Sequence, residues 1–280
     1  MRDEAEHKGD SEAGSLGARR CRDAEGVRVT PKRELGQHFL VDENILGVIG
    51  RLAQLDPDDA VLEIGPGLGV LTRYLAARVA LVHAVEVDRS LEAYLPRLEN
   101  VHYVWGDALR VDLAALEPCP GKLVSNLPYN VATPLVVESL HGLPSLAAWC
   151  VMVQREAAGR FFAEPATKAY GAVSVLVQLA AERTGWHSVS RQVFRPRPNV
   201  DSALVAFRRK QLPEQFLAVK RVVEAAFAHR RKTLANSLEL SGVTTRAIAQ
   251  GALAELDLDP SVRAETLEPE KFVRLEELLR

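Results

Sequence analysis

Ala60-Val61-Leu62-Glu63-Ile64-Gly65-Pro66-Gly67-Leu68-Gly69 reads as a short apolar strand, residues 60–64, running into a loop with glycine at every second position. A helix over residues 70–80 is predicted to follow. Glycines directly after a strand let the backbone pass close to a ligand where a side chain would collide. Val70 follows the last glycine, so the loop is Gly-x-Gly-x-Gly and lacks the Gly-x-Gly-x-x-Gly that seats a dinucleotide pyrophosphate on a helix. A plain tight turn would use the same residues, so the loop alone fixes no ligand.

The unit recurs downstream. A second strand, 81–87, carries Glu86 near its carboxyl end, where a carboxylate can accept both hydroxyls of a ribose. A third, 101–105, ends in Gly106-Asp107-Ala108, and Asp107 can accept an adenine amine. A fourth, 122–125, ends in Asn126-Leu127-Pro128-Tyr129. Any one of the acids would serve equally as a helix cap. Successive strand ends that all bear a suitable group point to a ligand, because open α/β sheets bind outside the carboxyl ends of their strands.

The tetrapeptide has its own chemistry. The exocyclic amine of a nucleobase is a poor nucleophile because its lone pair is delocalised into the ring, so attack needs acceptors that draw on its N–H bonds. Asn126 supplies a side-chain carbonyl, and Pro128, with fixed φ and no N–H, lets the Leu127 carbonyl turn inward as a second acceptor. Tyr129 offers a flat face for a flipped-out base. A strand-to-helix turn with a surface tyrosine would have much the same composition.

Further along, a helix over 132–140, a strand over 147–153 and a short helix from Gln154 to Phe162 are predicted. Residues 165–171 read as a surface loop near the substrate, followed by a helix over 172–181 and strands over 184–189 and 202–207. Phe194-Arg195-Pro196-Arg197-Pro198-Asn199 is a stiff basic loop whose arginines can pair with phosphates. From about residue 211 only helical patterns remain, over 214–229, 244–256 and 268–279. The cluster Arg230, Arg231, Lys232 suits phosphate contact, although a cationic helix end would also complement the dipole. At the other end, residues 1–30 mix 7 acidic with 6 basic side chains and few aliphatics, the composition of a disordered tail. That tail has no apolar core of a secretory signal, and its acidic residues disfavour a transit peptide. Residues 31–40 are basic, then amphipathic, and lead into a helix capped by Asp42; by themselves they read as a simple approach to that helix with Phe39 packing as a staple, although the same segment could cover a ligand.

Composition sets outer bounds. The 280 residues suffice for one sizeable domain and a smaller one. No apolar run is long enough to span a membrane. Cys21, Cys119 and Cys150 have no metal-ligand or redox spacing, which fits a reducing compartment without structural zinc or disulfides. The net charge of −2 hides an asymmetry: residues 183–232 hold 12 Lys and Arg against 3 Asp and Glu, a local +9, and residues 233–280 hold 5 against 9, or −4. A polyanionic partner is therefore compatible with the overall balance.

Together, Leu35-Gly36-Gln37-His38-Phe39-Leu40, residues 63–69, Asn126-Leu127-Pro128-Tyr129-Asn130, residues 193–202 and residues 226–238 resemble the bacterial small-subunit ribosomal RNA adenine dimethyltransferase family. That family shares ancestry with macrolide-resistance 23S RNA methyltransferases and mitochondrial transcription factor B. The resemblance runs from Leu35 to about Leu238, and its last motif looks like the small-subunit branch. It implies a Rossmann-like class I S-adenosylmethionine-dependent methyltransferase domain over 31–209 and a small all-α RNA-binding domain over 210–280. By the same resemblance His38, Leu40, Gly65, Gly67, Glu86, Asp107 and Asn126 hold the cofactor, S-adenosyl-L-methionine. Asn126, Leu127, Pro128 and Tyr129 carry the reaction, while Arg195, Arg197, Arg230, Arg231 and Lys232 meet RNA. Many relatives have Asn where this chain has His38. The implied partner is 16S ribosomal RNA within the small subunit or its precursor, acted on by a cytoplasmic monomer without metal or membrane. Its rivals are a 23S RNA adenine methyltransferase, a DNA adenine methyltransferase, disfavoured by Leu127 where a second proline is common, and a non-catalytic assembly factor.

Overall fold

The protein is described from a computed structural model, which covers residues 21–22, 28–29, 31–32 and 35–280. Seven strands form the central sheet: β1 (Ala60–Ile64), β2 (Leu81–Glu86), β3 (Val101–Trp105), β4 (Lys122–Asn126), β5 (Ala148–Gln154), β6 (Ala181–Val189) and β7 (Ser202–Arg209). Their spatial order is β3-β2-β1-β4-β5-β7-β6; the first five are parallel, and β7 runs antiparallel between β5 and β6. The chain reverses its direction of winding between β1 and β4, which puts a crevice at their carboxyl ends.

Alternation along the strands explains why both faces are covered. In β5, Trp149, Val151 and Val153 join one apolar cluster, whereas Cys150 and Met152 join the other; in β7, Ala203, Val205 and Phe207 oppose Leu204 and Ala206 in the same way. The first face is packed by α3 (Ala132–Gly142), α4 (Arg155–Phe161) and α5 (Ala172–Ala180). The second is packed by α1 (Glu43–Ala53), capped as expected by Asp42 Oδ1 accepting from the Asn44 N–H at 2.9 Å, and α2 (Val70–Ala76). The edge strand β6 exposes Glu182, Arg183, Thr184 and His187, and its charges blunt an edge that would otherwise template pairing.

The carboxyl-terminal helices are α6 (Phe216–Ala228), α7 (Leu234–Leu240), α8 (Arg246–Glu255) and α9 (Pro269–Leu278). Their apolar residues Phe216, Val219, Val223, Leu234 and Phe272 share one buried cluster with Val175 of α5 and Phe207 of β7. No helix among the described residues is long and apolar enough to cross a membrane.

Some boundaries differ from expectation. Helix α2 stops at Ala76, not at residue 80, because the Arg78 and Val79 N–H groups both donate to the Leu75 carbonyl and turn the chain into β2. Strand β6 begins at Ala181, directly after α5, since residues 181–183 continue the ladder to β7 across a bulge at Ala206/Phe207. Residues 166–169 are exposed, as expected of a surface loop. The Ala166 N–H donates to the Glu265 carbonyl at 2.7 Å, and the buried Tyr170 hydroxyl donates to the Leu267 carbonyl at 2.6 Å, so this loop is docked on the carboxyl-terminal helices. Within the expected tail, Cys21–Arg22 pairs antiparallel with Arg28–Val29; the remainder of 1–30 lies outside the described residues.

Arg209, at the end of β7, ties the two layers together. Its guanidinium donates to the carbonyls of Leu140 (2.7 Å), Leu143 (2.8 Å) and Leu146 (2.5 Å), closing the end of α3, and lies 5.0 Å from the centre of the Trp149 ring. Arg209→Met keeps much of the bulk and removes every donor, so it should cost about 3 kcal/mol, read as a lower urea midpoint with unchanged slope.

Candidate active site

The crevice at the β1/β4 switch is a cavity walled by Glu63, the 65–68 loop, Glu86, residues 126–129 and a cover formed by residues 35–40. It continues into a second lobe lined by Gly106, Asp107, Ala108, Val131 and Leu135. The two lobes share Gly65, Glu86, Val87 and Pro128.

The glycine loop is shaped by close approach. Gly65 and Gly67 have φ of 73° and 62°, in the left-handed region. A Cβ on Gly67 would lie 2.9 Å from Phe39 Cδ1, and one on Gly65 would lie 3.2 Å from Pro128 Cγ. The cover therefore rests on the loop, and Phe39 and Leu40 are buried. Phe39–Leu40 also pairs antiparallel with Phe194–Arg195, and the Val41 N–H donates to the Val193 carbonyl at 2.9 Å. The basic loop expected to meet phosphate thus forms one wall of the cover.

A side-chain latch, not anticipated from the sequence, holds the front of the cover. Asp88 accepts from Lys32 Nζ at 2.7 Å and Gln37 Nε2 at 2.9 Å, and Gln37 Oε1 accepts from the Lys32 N–H at 2.8 Å. Burial alone would raise the Asp88 carboxyl, but the bonds from Lys32, Ser90 and Gln37 outweigh it and hold it at about 2. With a depressed native pKa, the latch is fully made above the usual carboxylate range and is lost as pH falls toward about 2.

Two further carboxyls face the cavity. Glu86 accepts from the Asp88 N–H at 2.9 Å and the Gly67 N–H at 3.2 Å, and burial still pushes it above its usual range. Glu63 is buried to 1% exposure, and its Oε2 has no hydrogen-bond partner among the described residues. Burial pushes it up to about 8; the nearby Thr72 hydroxyl favours the charged form, yet Thr72 Oγ1 too lacks a partner at bonding geometry. A buried carboxyl with an open lone pair, beside a glycine cradle, fits a ligand that brings a positive charge. Asp107 stands at the rim of the second lobe, 45% exposed, where its Oδ1 accepts from the Leu109 N–H at 3.0 Å. It is therefore both a turn-capping residue and a wall of the lobe.

At the tetrapeptide, the Leu127 N–H donates to the Met152 carbonyl at 3.1 Å, and the buried Leu127 side chain anchors the turn. Nothing among the described residues donates to the Leu127 carbonyl. Asn126 Nδ2 donates to the His38 carbonyl at 3.2 Å, and no group among the described residues donates to Asn126 Oδ1. The Tyr129 hydroxyl bonds Ser202 Oγ at 2.6 Å. The His38 ring stacks on Tyr129, centroids 5.4 Å apart and planes at 29°.

The structure thus brings together His38, Leu40, Gly65, Gly67, Glu86, Asp107 and residues 126–129, with Arg195 and Arg197 exposed on the adjoining loop. It does not bring Arg230, Arg231 and Lys232 to the cavity. They lie exposed between α6 and α7, with Arg230 3.8 Å from Glu265. Asp88, Lys32 and Ser202 were missed because long-range partners leave no local sequence signal. The charge state of Glu63 was missed because it follows from depth of burial.

The sheet order, the glycine loop and the acidic residues at successive strand ends define a Rossmann-like methyltransferase. Comparison with known proteins narrows this: residues 29–280 match the ribosomal RNA adenine dimethylase family, and the chain belongs to it. It is 48% identical over 250 residues to the ribosomal RNA small subunit methyltransferase A of Rubrobacter xylanophilus, covering 88% of this chain and 94% of that one. Identity to the protein of the same name from Thermobifida fusca is 44% over 264 residues, covering 90% and 91%. A dimethyladenosine transferase from Plasmodium falciparum shares the fold, with a TM-score of 0.72 at 24% identity over 85% of this chain and 96% of that one. The 23S rRNA methyltransferase ErmE aligns with a TM-score of 0.58 at 28% identity, covering 86% and 99%.

Two outcomes follow from the carboxyls. The raised Glu63 costs stability increasingly as pH climbs from its unfolded value of 4.5 toward about 8, because only the unfolded state ionises freely. Glu63→Gln should therefore raise the melting temperature more at pH 8 than at pH 5, by the equivalent of about 3 kcal/mol at most. Asp88→Asn should speed amide exchange at Phe39 and Leu40 by about tenfold, the loss of about 1.4 kcal/mol of latch energy.

Proposed function

We propose that the protein methylates N6 of adenosine, twice per target, in two adjacent adenosines near the 3′ end of 16S ribosomal RNA, with S-adenosyl-L-methionine as donor. What carries this reading is the pair of unclaimed acceptors, Asn126 Oδ1 and the Leu127 carbonyl, at the mouth of a cavity whose inner wall is an unpaired carboxyl. The small-subunit target is favoured by relatives at 48% and 44% identity that carry that name.

The donor fits the residues present. Glu63 and the 65–67 loop would hold its methionine end, Glu86 the ribose and Asp107 the adenine amine, with His38 and Leu40 in the cover above. When bound, it supplies an electrophilic methyl group on a sulfonium. The protein's own work is to aim and polarise the amine. Asn126 Oδ1 and the Leu127 carbonyl accept its two N–H bonds, localising the nitrogen lone pair toward the cavity. Pro128, packed on Gly65, places no competing donor there, and Tyr129, fixed by Ser202, stacks the extruded base. Alignment of nucleophile and methyl within one dry crevice supplies much of the acceleration.

In this reading residues 31–209 form the catalytic unit and residues 210–280 a helical unit that, with Arg230, Arg231 and Lys232, holds RNA at a distance from the cavity. Arg195 and Arg197 then meet phosphates next to the target. The protein acts as a cytoplasmic monomer, and no group of metal-binding side chains occurs among the described residues.

The test is transfer of labelled methyl to undermethylated small subunits, with large subunits and DNA in parallel, followed by nucleoside analysis. N6,N6-dimethyladenosine confined to the small subunit is expected. Label in the large subunit would shift the target toward that of the 23S enzyme ErmE, and no label with confirmed donor binding would point to an assembly factor. Asn126→Ala should lower the single-turnover rate at least 10³-fold, in the range of a lost transition-state acceptor, while RNA affinity changes less than about threefold.

A further inference from the structure

The edge strand β6 borders an open cleft that the methyl-transfer reading leaves unused. The cleft holds about 450 Å³ between β6 and the end of α4, is lined by Ala158, Gly159, Phe162 and residues 183–186, and shares no residue with the cavity at the glycine loop. Trp186 is 38% exposed there, although so large an aromatic side chain is usually well buried. The Arg183 guanidinium stands 6.0 Å from the centre of the Phe162 ring. Arg183 makes no ion pair among the described residues, while the acids on the same two elements, Glu182 and Glu156, are paired with Arg208 and Arg160. The cleft is therefore both aromatic and cationic.

Gly159 gives a second, independent observation. It sits inside α4 with ordinary helical backbone, where glycine is disfavoured relative to alanine. No contact within the fold demands it, since a Cβ there would meet nothing within 4 Å. The missing side chain keeps open a space that the protein itself does not fill.

Position decides what enters. Strands β5 and β6 each pair antiparallel with β7, so the carboxyl end of β6 lies at the same edge of the sheet as Asn126. Val189 at that end pairs with Ser202, whose hydroxyl bonds that of Tyr129 at 2.6 Å. Trp186 lies three residues back, about 10 Å along the strand, which about three stacked nucleotides span at about 3.4 Å each. An RNA strand with one base on Tyr129 thus has neighbouring nucleotides within reach of the cleft. The local charge of +9 over residues 183–232 begins at Arg183 itself and suits a polyanion. Aromatic rings and guanidinium planes are the surfaces on which unpaired bases stack.

We propose that Trp186 and Arg183 form a second base-binding site, which stacks one unpaired nucleotide of the RNA substrate a few positions from the methylated adenosine. Trp186 offers the stacking face, Arg183 pairs with an adjoining phosphate, and Gly159 leaves room for the base. Stacking tolerates any base, so the site adds affinity and sets the register of the strand while the chemistry stays in the cavity. The inference rests on the reading of RNA as substrate.

The test uses the full-length protein with undermethylated small subunits and with protein-free 16S ribosomal RNA. Trp186→Ala should raise KM for small subunits about tenfold and weaken binding of the free RNA by a similar factor, with kcat within about twofold of wild type and an unchanged melting temperature. Gly159→Leu, which fills the cleft without removing a contact, should do the same, whereas Trp186→Phe should retain most of the affinity. Arg183→Ala should lower the slope of log Kd against log salt by about 0.7. Free RNA should quench tryptophan emission more in the wild-type protein than in Trp186→Phe. Wild-type KM and RNA affinity in both Trp186→Ala and Gly159→Leu would overturn the site and leave the methyltransferase reading intact. A loss seen only with intact subunits would overturn it as well, because the cleft would then hold a segment of a ribosomal protein. Small subunits that take up no label would overturn the methyl-transfer reading, and the free-RNA titrations would still decide the cleft.

Discussion

The contact on which the site depends is that of the Phe39 ring with the bare α-carbon of Gly67. Because no Cβ stands between them, a two-residue strand can lie on the glycine loop, pair with Phe194–Arg195 and close a cavity that the sheet alone would leave open. Everything functional is threaded through that closure. The cover delivers the His38 carbonyl to Asn126, its imidazole to Tyr129 and Pro196, and its Gln37 to Asp88. The arginine loop is carried along with it, so that Arg195 and the cavity cover share one hydrogen-bonded ribbon.

Much of this was legible in the sequence because its signals are local. β1 and β3 were read to the residue, and the remaining sheet strands within three residues, since buried parallel strands are short apolar runs with clear ends. The strand-end residues Glu86, Asp107 and Asn126 were placed correctly because topology alone sends them to one edge. What stayed hidden depends on partners far along the chain. Asp88 is unremarkable two residues after Glu86 until Lys32 and Gln37 arrive from the other end of the domain. Residues 165–171 read as a surface loop, and nothing local reveals that Tyr170 is anchored to the Leu267 carbonyl. The end of α2 at Ala76 moved for a local reason instead, because the turn into β2, closed on the Leu75 carbonyl, competes with helix propagation.

The electrostatics divide the cavity into two regimes. At the cover, Asp88 is ionised and engaged, holding Lys32 and Gln37. Deep inside, Glu63 is uncompensated and kept protonated by burial, a strained arrangement unless a cationic ligand completes it. Between them Glu86 accepts from the Gly67 N–H of the glycine loop and from the Asp88 N–H, which stiffens the cradle before any ligand arrives. Among the described residues, the wall formed by residues 126–129 presents no carboxylate, only the Asn126 amide oxygen and the Leu127 carbonyl. In the proposed methyl transfer, this separation would draw a positive donor inward while the neutral nucleophile is polarised without being charged.

The central claim is that the cavity is built around a buried carboxyl awaiting a cation, and calorimetry of S-adenosylmethionine binding in buffers of different ionisation enthalpy tests it directly. With Glu63 titrating at about 8, binding near pH 7 should release close to one proton, a release that disappears in Glu63→Gln. Tight binding with no proton release in the wild-type protein would contradict the account, because the carboxyl would then play no part in receiving the charge.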